Sequence, residues 1–153
     1  QLDRFLFKIL VTYPTLGEEV AILKAHQEND LAVQINLVQT VVQGDQLIAF
    51  RELIRQIHVE DKILQYMVQI SQETRANASL FLGASPRASV GLLMASKAFA
   101  AIRGRDFVTP EDIKTVALPA LRHRLILTPE REMEGADIDE TISQIIDKIE
   151  IPR

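Results

Sequence analysis

The chain has 153 residues, a formal net charge of −4 and a pI near 5.4. Its composition, 47% hydrophobic and 25% charged, is that of a folded globular protein, and the acidic balance disfavours nucleic-acid binding through bulk charge. The absence of cysteine excludes disulfides and thiolate metal sites. No apolar run is long enough to span a membrane and no signal-peptide pattern is present. We therefore expect a cytoplasmic protein without nucleic-acid binding or membrane insertion.

The first third of the chain mixes extended and helical patterns. Residues 5–11 are rich in aromatic and β-branched side chains and predict a short strand. Thr15 and Glu18 form a capping-box pattern that predicts a helix to about residue 28. Residues 31–42 contain alternating and β-branched positions and are predicted to be extended. The Gly44-Asp45 turn then precedes a helix to about residue 55. The chain starts at Gln1 within ordered-looking sequence, and we expect it to be a piece of a longer protein.

The rest of the chain is dominated by helical periodicity. We predict a helix over residues 61–74, a loop over residues 75–82 and a long apolar helix over residues 86–103. The last of these has its polar positions, Ser89, Ser96 and Arg103, on one narrow stripe, which is typical of the core helix of a bundle.

The C-terminal part adds further helices. Thr109 and Pro110 start the next one, which Pro119 bends or splits before residues 120–127. A polar loop over residues 128–137 and a final amphipathic helix from Asp139 follow. The predicted fold class is mainly α, a bundle of five or six helices with a minor extended component.

Most kinds of catalytic or metal site are excluded or disfavoured. The six glycines do not fit the phosphate-loop pattern G-x-x-x-x-G-K-[ST], so the chain has no phosphate loop of its own. His26, His58 and His123 are far apart in sequence and lack the spacing of metal ligands. No spacing suggests a nucleophile with an adjacent base. The sequence therefore predicts no metal site and no self-standing enzyme.

One helix start has an unexpected charge. Ser85 is placed as the N-cap and Pro86 as the first helical residue of the long helix. Arg87 is then a cation in the first turn, where the helix dipole already presents positive potential and unpaired N–H groups. The start at Thr109 is instead followed by acids. Arg87 needs an anion beside it, and the residues leave two choices open: a phosphate group, or the carboxylate of a neighbouring side chain.

Three segments resemble, in the same order, motifs of the MoxR family of AAA+ ATPases. Residues 1–8 (QLDRFLFK) resemble the segment that ends the nucleotide-binding core. Residues 83–88 (GASPRA) resemble the sensor-2 motif, which opens a helix of the small lid domain. Residues 103–113 (RGRDFVTPEDI) resemble the usual continuation of that lid. The likeness extends to about residue 127, whereas residues 31–43 and the last helix match no motif of the family.

The resemblance implies an AAA+ lid domain, a helical bundle that packs over a nucleotide held by a preceding α/β core. Residues 1–14 would end the core, residues 15–127 would form the lid, and residues 128–153 would add a loop and an amphipathic helix. It also implies that Arg87, with Ser85 and Pro86, binds the γ-phosphate as sensor 2. Arg4 matches the candidate arginine finger that reaches a neighbouring subunit.

The same resemblance implies cofactors and partners. ATP and Mg²⁺ would be bound by the full-length protein, whose partners would be its own N-terminal AAA+ core, neighbouring subunits of a ring oligomer and an unidentified client protein. The family role would be chaperone-like remodelling or metal-cofactor insertion. Because the phosphate loop, the acidic Mg²⁺ motif and the sensor-1 residue are missing, we expect this chain alone to be inactive and to bind ATP weakly.

Two other interpretations remain. The first is a helical protein-interaction module without a nucleotide role, which predicts that Arg87 is paired with a carboxylate of this chain and points away from any cleft. The second is a histone-fold-like module, suggested by the long helix followed by residues 108–113. The net negative charge disfavours DNA binding by such a module.

Overall fold

The computed structural model describes residues 2–28 and 38–152. Within them a 3-10 turn, Leu2–Arg4, precedes seven helices and two short strands. The helices are α1 (Leu16–Glu28), α2 (Gly44–Gln56), α3 (Asp61–Ala76), α4 (Pro86–Ile102), α5 (Pro110–Leu121), α6 (Pro129–Met133) and α7 (Ile138–Lys148). The strands β1 (Leu80–Leu82) and β2 (Ile126–Leu127) pair antiparallel. The mainly α prediction is confirmed. None of the helices in the described residues is long and apolar enough to cross a membrane.

The chain divides into two compact units, residues 10–50 and residues 1–9 with 51–153. The smaller unit contains α1 and the first part of α2. The Glu18 carboxylate accepts hydrogen bonds of 2.7 Å from both the N–H and the hydroxyl of Thr15, which confirms the predicted capping box. The side chains of Leu16, Val20 and Leu23 in α1 are exposed.

The core of the larger unit lies between α3, α4, α5 and α7, with α4 packed most extensively on α5. Burial of one large apolar side chain stabilises a fold by about 2 kcal/mol. The largest fully buried apolar side chains are those of Tyr66, Met67, Ile70, Leu92, Ile113, Leu121 and Ile142.

The prediction of a polar stripe on α4 is wrong in part. Ser96, one of its three members, is fully buried, whereas Val90 and Met94 are exposed. Small buried residues, Ala88 and Ala95 among them, form the packed face instead. Small side chains let neighbouring elements approach α4 closely, so the packed face of this helix follows residue size as well as polarity.

The β component lies elsewhere than predicted. Residues 5–11 form no strand; the N–H of Lys8 instead donates to the carbonyl of Pro119 at 2.9 Å. Residues 38–42 also form no strand, and residues 31–37 lie outside the described residues. The paired strands, Leu80–Leu82 and Ile126–Leu127, occupy segments predicted to be loop and helix. A β-branched run needs a partner strand with free backbone groups, and the sequence pattern does not show where that partner lies.

Two boundaries near the C-terminus also differ from the predictions. The helix that contains Pro119 ends at Leu121 and does not continue to residue 127. The predicted polar loop contains the short helix α6, whose first turn is capped by the Thr128 hydroxyl. The final amphipathic helix is confirmed as α7, and it buries Ile142, Ile145 and Ile146.

The end of α3 fixes the point at which α4 begins. The N–H of Ala84 donates to the Thr74 hydroxyl at 2.9 Å, and its carbonyl accepts from Arg75 Nε at 2.7 Å. A Cβ atom on Gly83 would lie 2.7 Å from the Cα atom of Arg75. Glycine is therefore required at position 83 because two backbone segments approach too closely for a side chain.

The start of α5 is held by a buried carboxylate. Asp112, only 1% exposed, accepts hydrogen bonds from the N–H of Thr109 at 2.9 Å and from Arg105 Nη1 at 2.8 Å. Burial by itself raises the pKa of Asp112, but the hydrogen bonds from Arg105 and Thr109 outweigh it and hold the pKa below its ordinary value. The predicted contrast between the two helix starts is thus real: α5 has its acid, and α4 has Ala88 at the same position.

This carboxylate makes stability depend on pH. Because the pKa of Asp112 is lower in the folded state, its contribution is complete at neutral pH and is lost as the pH falls from about 5 towards 2. We expect Asp112→Asn to reduce the free energy of unfolding at pH 7 by on the order of 3 kcal/mol and to flatten its decrease in acid. Urea denaturation followed by circular dichroism at several pH values measures both effects. The exposed Asp106→Asn variant is the control, and equal acid sensitivity of Asp112→Asn and the wild type would contradict the assignment.

Candidate functional site

The predicted site residues lie at the N-terminal end of α4. Ser85 is the N-cap and Pro86 is the first helical residue, as predicted. The Ser85 hydroxyl, however, does not cap the helix: it donates to the two carboxylate oxygens of Asp3 at 3.2 and 3.1 Å. The N-cap side chain therefore satisfies no N–H group of the first turn. Pro86 has no N–H, and the N–H of Ala88 donates to the Ser85 carbonyl at 2.9 Å, so the side chain of Arg87 is the main donor that this turn offers to an anion.

Arg87 lies in this first turn and is largely exposed. Its side chain is 64% accessible, and its Nη1 atom is 3.8 Å from Oδ2 of Asp3. An exposed ion pair of this length contributes roughly 0–1 kcal/mol, because water screens both charges. Of the two anions considered from the sequence, the neighbouring carboxylate is thus present as Asp3, but its ion pair with Arg87 is weak.

Asp3 is shared by several groups. It lies in the turn Leu2–Arg4, which packs against α4, and it accepts the hydrogen bonds from Ser85. Besides Arg87, the Nε atom of Arg124 lies 3.4 Å from Oδ1 of Asp3. One carboxylate therefore faces two guanidinium groups, and this end of α4 keeps an excess of positive charge in addition to the helix dipole.

Arg124 is a site residue that the sequence predictions missed. Its side chain is 3% exposed, and its Nη2 atom donates to the carbonyl of Phe5 at 2.7 Å. The ring of His123 contacts the same carbonyl at 2.9 Å. Burial lowers the pKa of Arg124, the Asp3 carboxylate opposes that shift, and the charge of Arg87 adds to it. The guanidinium stays protonated, because arginine does not lose its proton in proteins.

Gly91 gives Arg124 the space that it occupies. A Cβ atom at position 91 would lie 2.6 Å from Nη1 of Arg124. Glycine inside a helix costs roughly 0.5–1 kcal/mol relative to alanine, so a mid-helix glycine suggests that a neighbouring group needs the space. That glycine, with the basic run at residues 122–124, is the sequence signal from which a buried arginine against α4 could have been inferred.

Arg4, the other predicted site residue, is exposed in the same turn. Its guanidinium lies over the ring of Phe5, 5.3 Å from the ring centre. The two residues that flank it, Asp3 and Phe5, are both contacted by Arg124. The structure thus brings the segment of Arg4 to the same end of α4 as Ser85 and Arg87.

The site fits part of a nucleotide. An exposed guanidinium beside a helix N-terminus suits a phosphate group. Within residues 2–28 and 38–152, however, no group of three or more His, Asp or Glu side chains could hold a metal ion. The feature of this end of α4 that suits a phosphate is therefore the exposed guanidinium of Arg87.

The chain is similar to known proteins over most of its length. The family model described as the AAA lid domain matches residues 72–149. Chaperone MoxR1 of Mycobacterium tuberculosis is 31% identical over 162 residues, which cover 100% of this chain and 42% of the relative. The uncharacterized protein YeaC of Bacillus subtilis is 34% identical over 152 residues, covering 99% of this chain and 47% of the relative.

A solved structure is similar over nearly the whole chain. The crystal structure of a Cytophaga hutchinsonii protein, inferred to be an ATPase, has a TM-score of 0.85 and 32% identity, and covers 99% of this chain and 48% of its own. The chain thus spans less than half the length of these relatives. It belongs to the AAA lid domain family, and the relatives that it matches place it with the MoxR-type AAA+ ATPases.

Proposed function

We propose that the chain is the lid of an ATPase in which Arg87 binds the γ-phosphate of ATP held by the preceding core. Arg4 acts on the nucleotide of a neighbouring subunit in a ring. The observation that carries the proposal is the exposed guanidinium of Arg87 in the first turn of α4, 3.8 Å from a half-exposed carboxylate.

The electrostatics at this end of α4 support phosphate binding. The carboxylate of Asp3 faces two guanidinium groups, those of Arg87 and Arg124, and it lies beside the positive end of the helix dipole. A phosphate oxygen can accept short, charge-assisted hydrogen bonds from a guanidinium, and these are stronger than the long pair to Asp3. Moving Arg87 from Asp3 to a phosphate therefore costs little and gains a tighter contact.

The position of Arg4 suits an arginine finger. Its side chain is exposed, and Arg124 contacts both of its neighbours, the carboxylate of Asp3 and the backbone carbonyl of Phe5. A guanidinium from a neighbouring subunit neutralises the charge that develops on the transferred phosphoryl group, which accelerates hydrolysis by several orders of magnitude. The phosphate loop and the Mg²⁺ ligands belong to the core, since this sequence has no phosphate loop.

Hydrolysis would drive work on another protein. The relative from Mycobacterium tuberculosis is named as a chaperone, and we extend that role to chaperone-like remodelling of a client protein or insertion of a metal cofactor. A second candidate, an interaction module without a nucleotide role, is favoured by one observation: Arg87 does pair with a carboxylate of its own chain. The following experiments separate the two.

Arg87→Ala in the full-length protein should lower ATP hydrolysis by about 10- to 1000-fold, because a donor to the transferred phosphate is lost. Steady-state hydrolysis assays measure the effect, and circular dichroism should show an unchanged fold. Arg103→Ala is the matched control, since Arg103 is an exposed arginine at the opposite end of α4. An unchanged rate in Arg87→Ala would remove Arg87 from the site and favour the interaction module.

Arg4→Ala should lower hydrolysis by about 1000-fold or more if Arg4 is a finger. Mixing Arg4→Ala subunits with subunits that lack the phosphate-loop lysine should restore part of the activity, because some mixed interfaces combine an intact finger with an intact phosphate loop. The same mixing with Arg87→Ala should not restore activity, because Arg87 serves its own subunit. Recovery in neither mixture would show that Arg4 does not act between subunits.

The isolated 153-residue chain should bind ATP weakly and should not hydrolyse it. Its residues supply one phosphate contact, whereas the phosphate loop provides most of the binding groups in such ATPases. Isothermal titration calorimetry measures the affinity. A dissociation constant in the micromolar range would contradict the division of the site between this chain and the core.

A further inference from the structure

We infer that Arg124 is a positioning residue for Arg4. It contacts the Asp3 carboxylate on one side of Arg4 and the Phe5 backbone carbonyl on the other, and Gly91 provides the space that its guanidinium occupies. The catalytic consequence of this inference rests on the proposed function, in which Arg4 is the finger. The contact itself does not.

The contacts bracket a single residue. The Nε atom of Arg124 lies 3.4 Å from Oδ1 of Asp3, and its Nη2 atom donates to the Phe5 carbonyl at 2.7 Å. Arg4 lies between these two residues in sequence. A rigid, planar guanidinium with one group on each side of Arg4 limits the rotation of the backbone that carries it.

Burial separates the role of Arg124 from that of Arg87. With 3% of its side chain exposed, Arg124 has no face open to a phosphate, whereas 64% of the Arg87 side chain is exposed. The Nη1 atom of Arg124 lies against Gly91, and neither Nη1 nor Nε has a hydrogen-bond partner within the described part of the chain. The contacts that stabilise this buried charge are therefore the ion pair of Nε with Asp3 and the hydrogen bond from Nη2 to the Phe5 carbonyl.

Gly91 offers a way to disturb Arg124 without removing any charge. An alanine Cβ would lie 2.6 Å from Nη1, the far end of a flexible side chain, so the guanidinium must move while the helix backbone stays. Alanine is also the better helix former, so the substitution does not weaken α4 itself. Gly91→Ala therefore tests the placement of Arg124 rather than the stability of the fold.

The test uses the full-length protein and three variants. Asp3→Asn removes the charge of one anchor and keeps its shape, Gly91→Ala displaces the guanidinium, and Arg103→Gln is the control. Arg103 is an exposed arginine at the opposite end of α4 from Arg87. Direct removal of Arg124 is avoided, because loss of a buried charge partner strongly destabilises a fold.

The first measurement is amide hydrogen exchange of the peptide covering residues 2–10. It contains the N–H of Phe5, bonded to the Leu2 carbonyl, and the N–H of Lys8, bonded to the Pro119 carbonyl. We expect exchange about tenfold faster in Asp3→Asn and Gly91→Ala, and no change in Arg103→Gln. Unchanged exchange in both anchor variants overturns the inference, whether or not the protein hydrolyses ATP.

The second measurement is hydrolysis. Both anchor variants should lower kcat about tenfold with little change in KM for ATP, and neither should lower the rate further in an Arg4→Ala background, because residues that act as a unit are not additive. A loss of kcat that persists in the Arg4→Ala background overturns the inference. If Arg4→Ala alone leaves the rate unchanged, the finger proposal fails, and the exchange experiment still decides whether Arg124 anchors the segment.

Discussion

The close contact between Gly83 and Arg75 determines where α4 begins, and the candidate site depends on it. Without a side chain at position 83, the chain passes within van der Waals contact of the end of α3, and Thr74 and Arg75 bind both polar backbone atoms of Ala84. The next residue is the N-cap. The contacts of Gly83 and Ala84 with the end of α3 therefore fix the position of the first turn of α4 and of Arg87.

Two arginines of the same chemistry take different roles at this end of α4 because their surroundings differ. Arg87 is exposed and 3.8 Å from a carboxylate, so its ion pair is weak and exchangeable. Arg124 is buried and hydrogen-bonded to a backbone carbonyl, so breaking its contacts would leave a buried charge without a partner and would destabilise the fold. A binding group must be free to leave its resting partner, whereas a positioning group must not. The exposures of the two side chains match that division.

Sequence patterns predicted what short-range chemistry determines. Three features depend on residues that are neighbours in sequence, and the sequence patterns predicted each of them. They are the capping box at Thr15, the position of Ser85 as N-cap and the acid-rich start of α5. The charge of Arg87 was recognisable as unusual for the same reason. The strands were misplaced because pairing joins residues about 45 positions apart, as in Leu80 with Leu127. The sequence patterns did not identify Arg124 as a site residue because its partners, Asp3 and Phe5, are distant in sequence. The mid-helix Gly91 indicated only that a large group packs against α4.

Arg87 and Arg124 influence each other because both guanidinium groups face the carboxylate of Asp3. The charge of Arg87 disfavours the protonated guanidinium of Arg124, whereas Asp3 favours it. A phosphate bound at Arg87 would neutralise the unfavourable charge and leave Asp3 to Arg124 and Ser85. On the proposed function, a phosphate therefore competes only for the long, exposed ion pair of Arg87 and leaves the contacts of Arg124 with Asp3 and Phe5 in place.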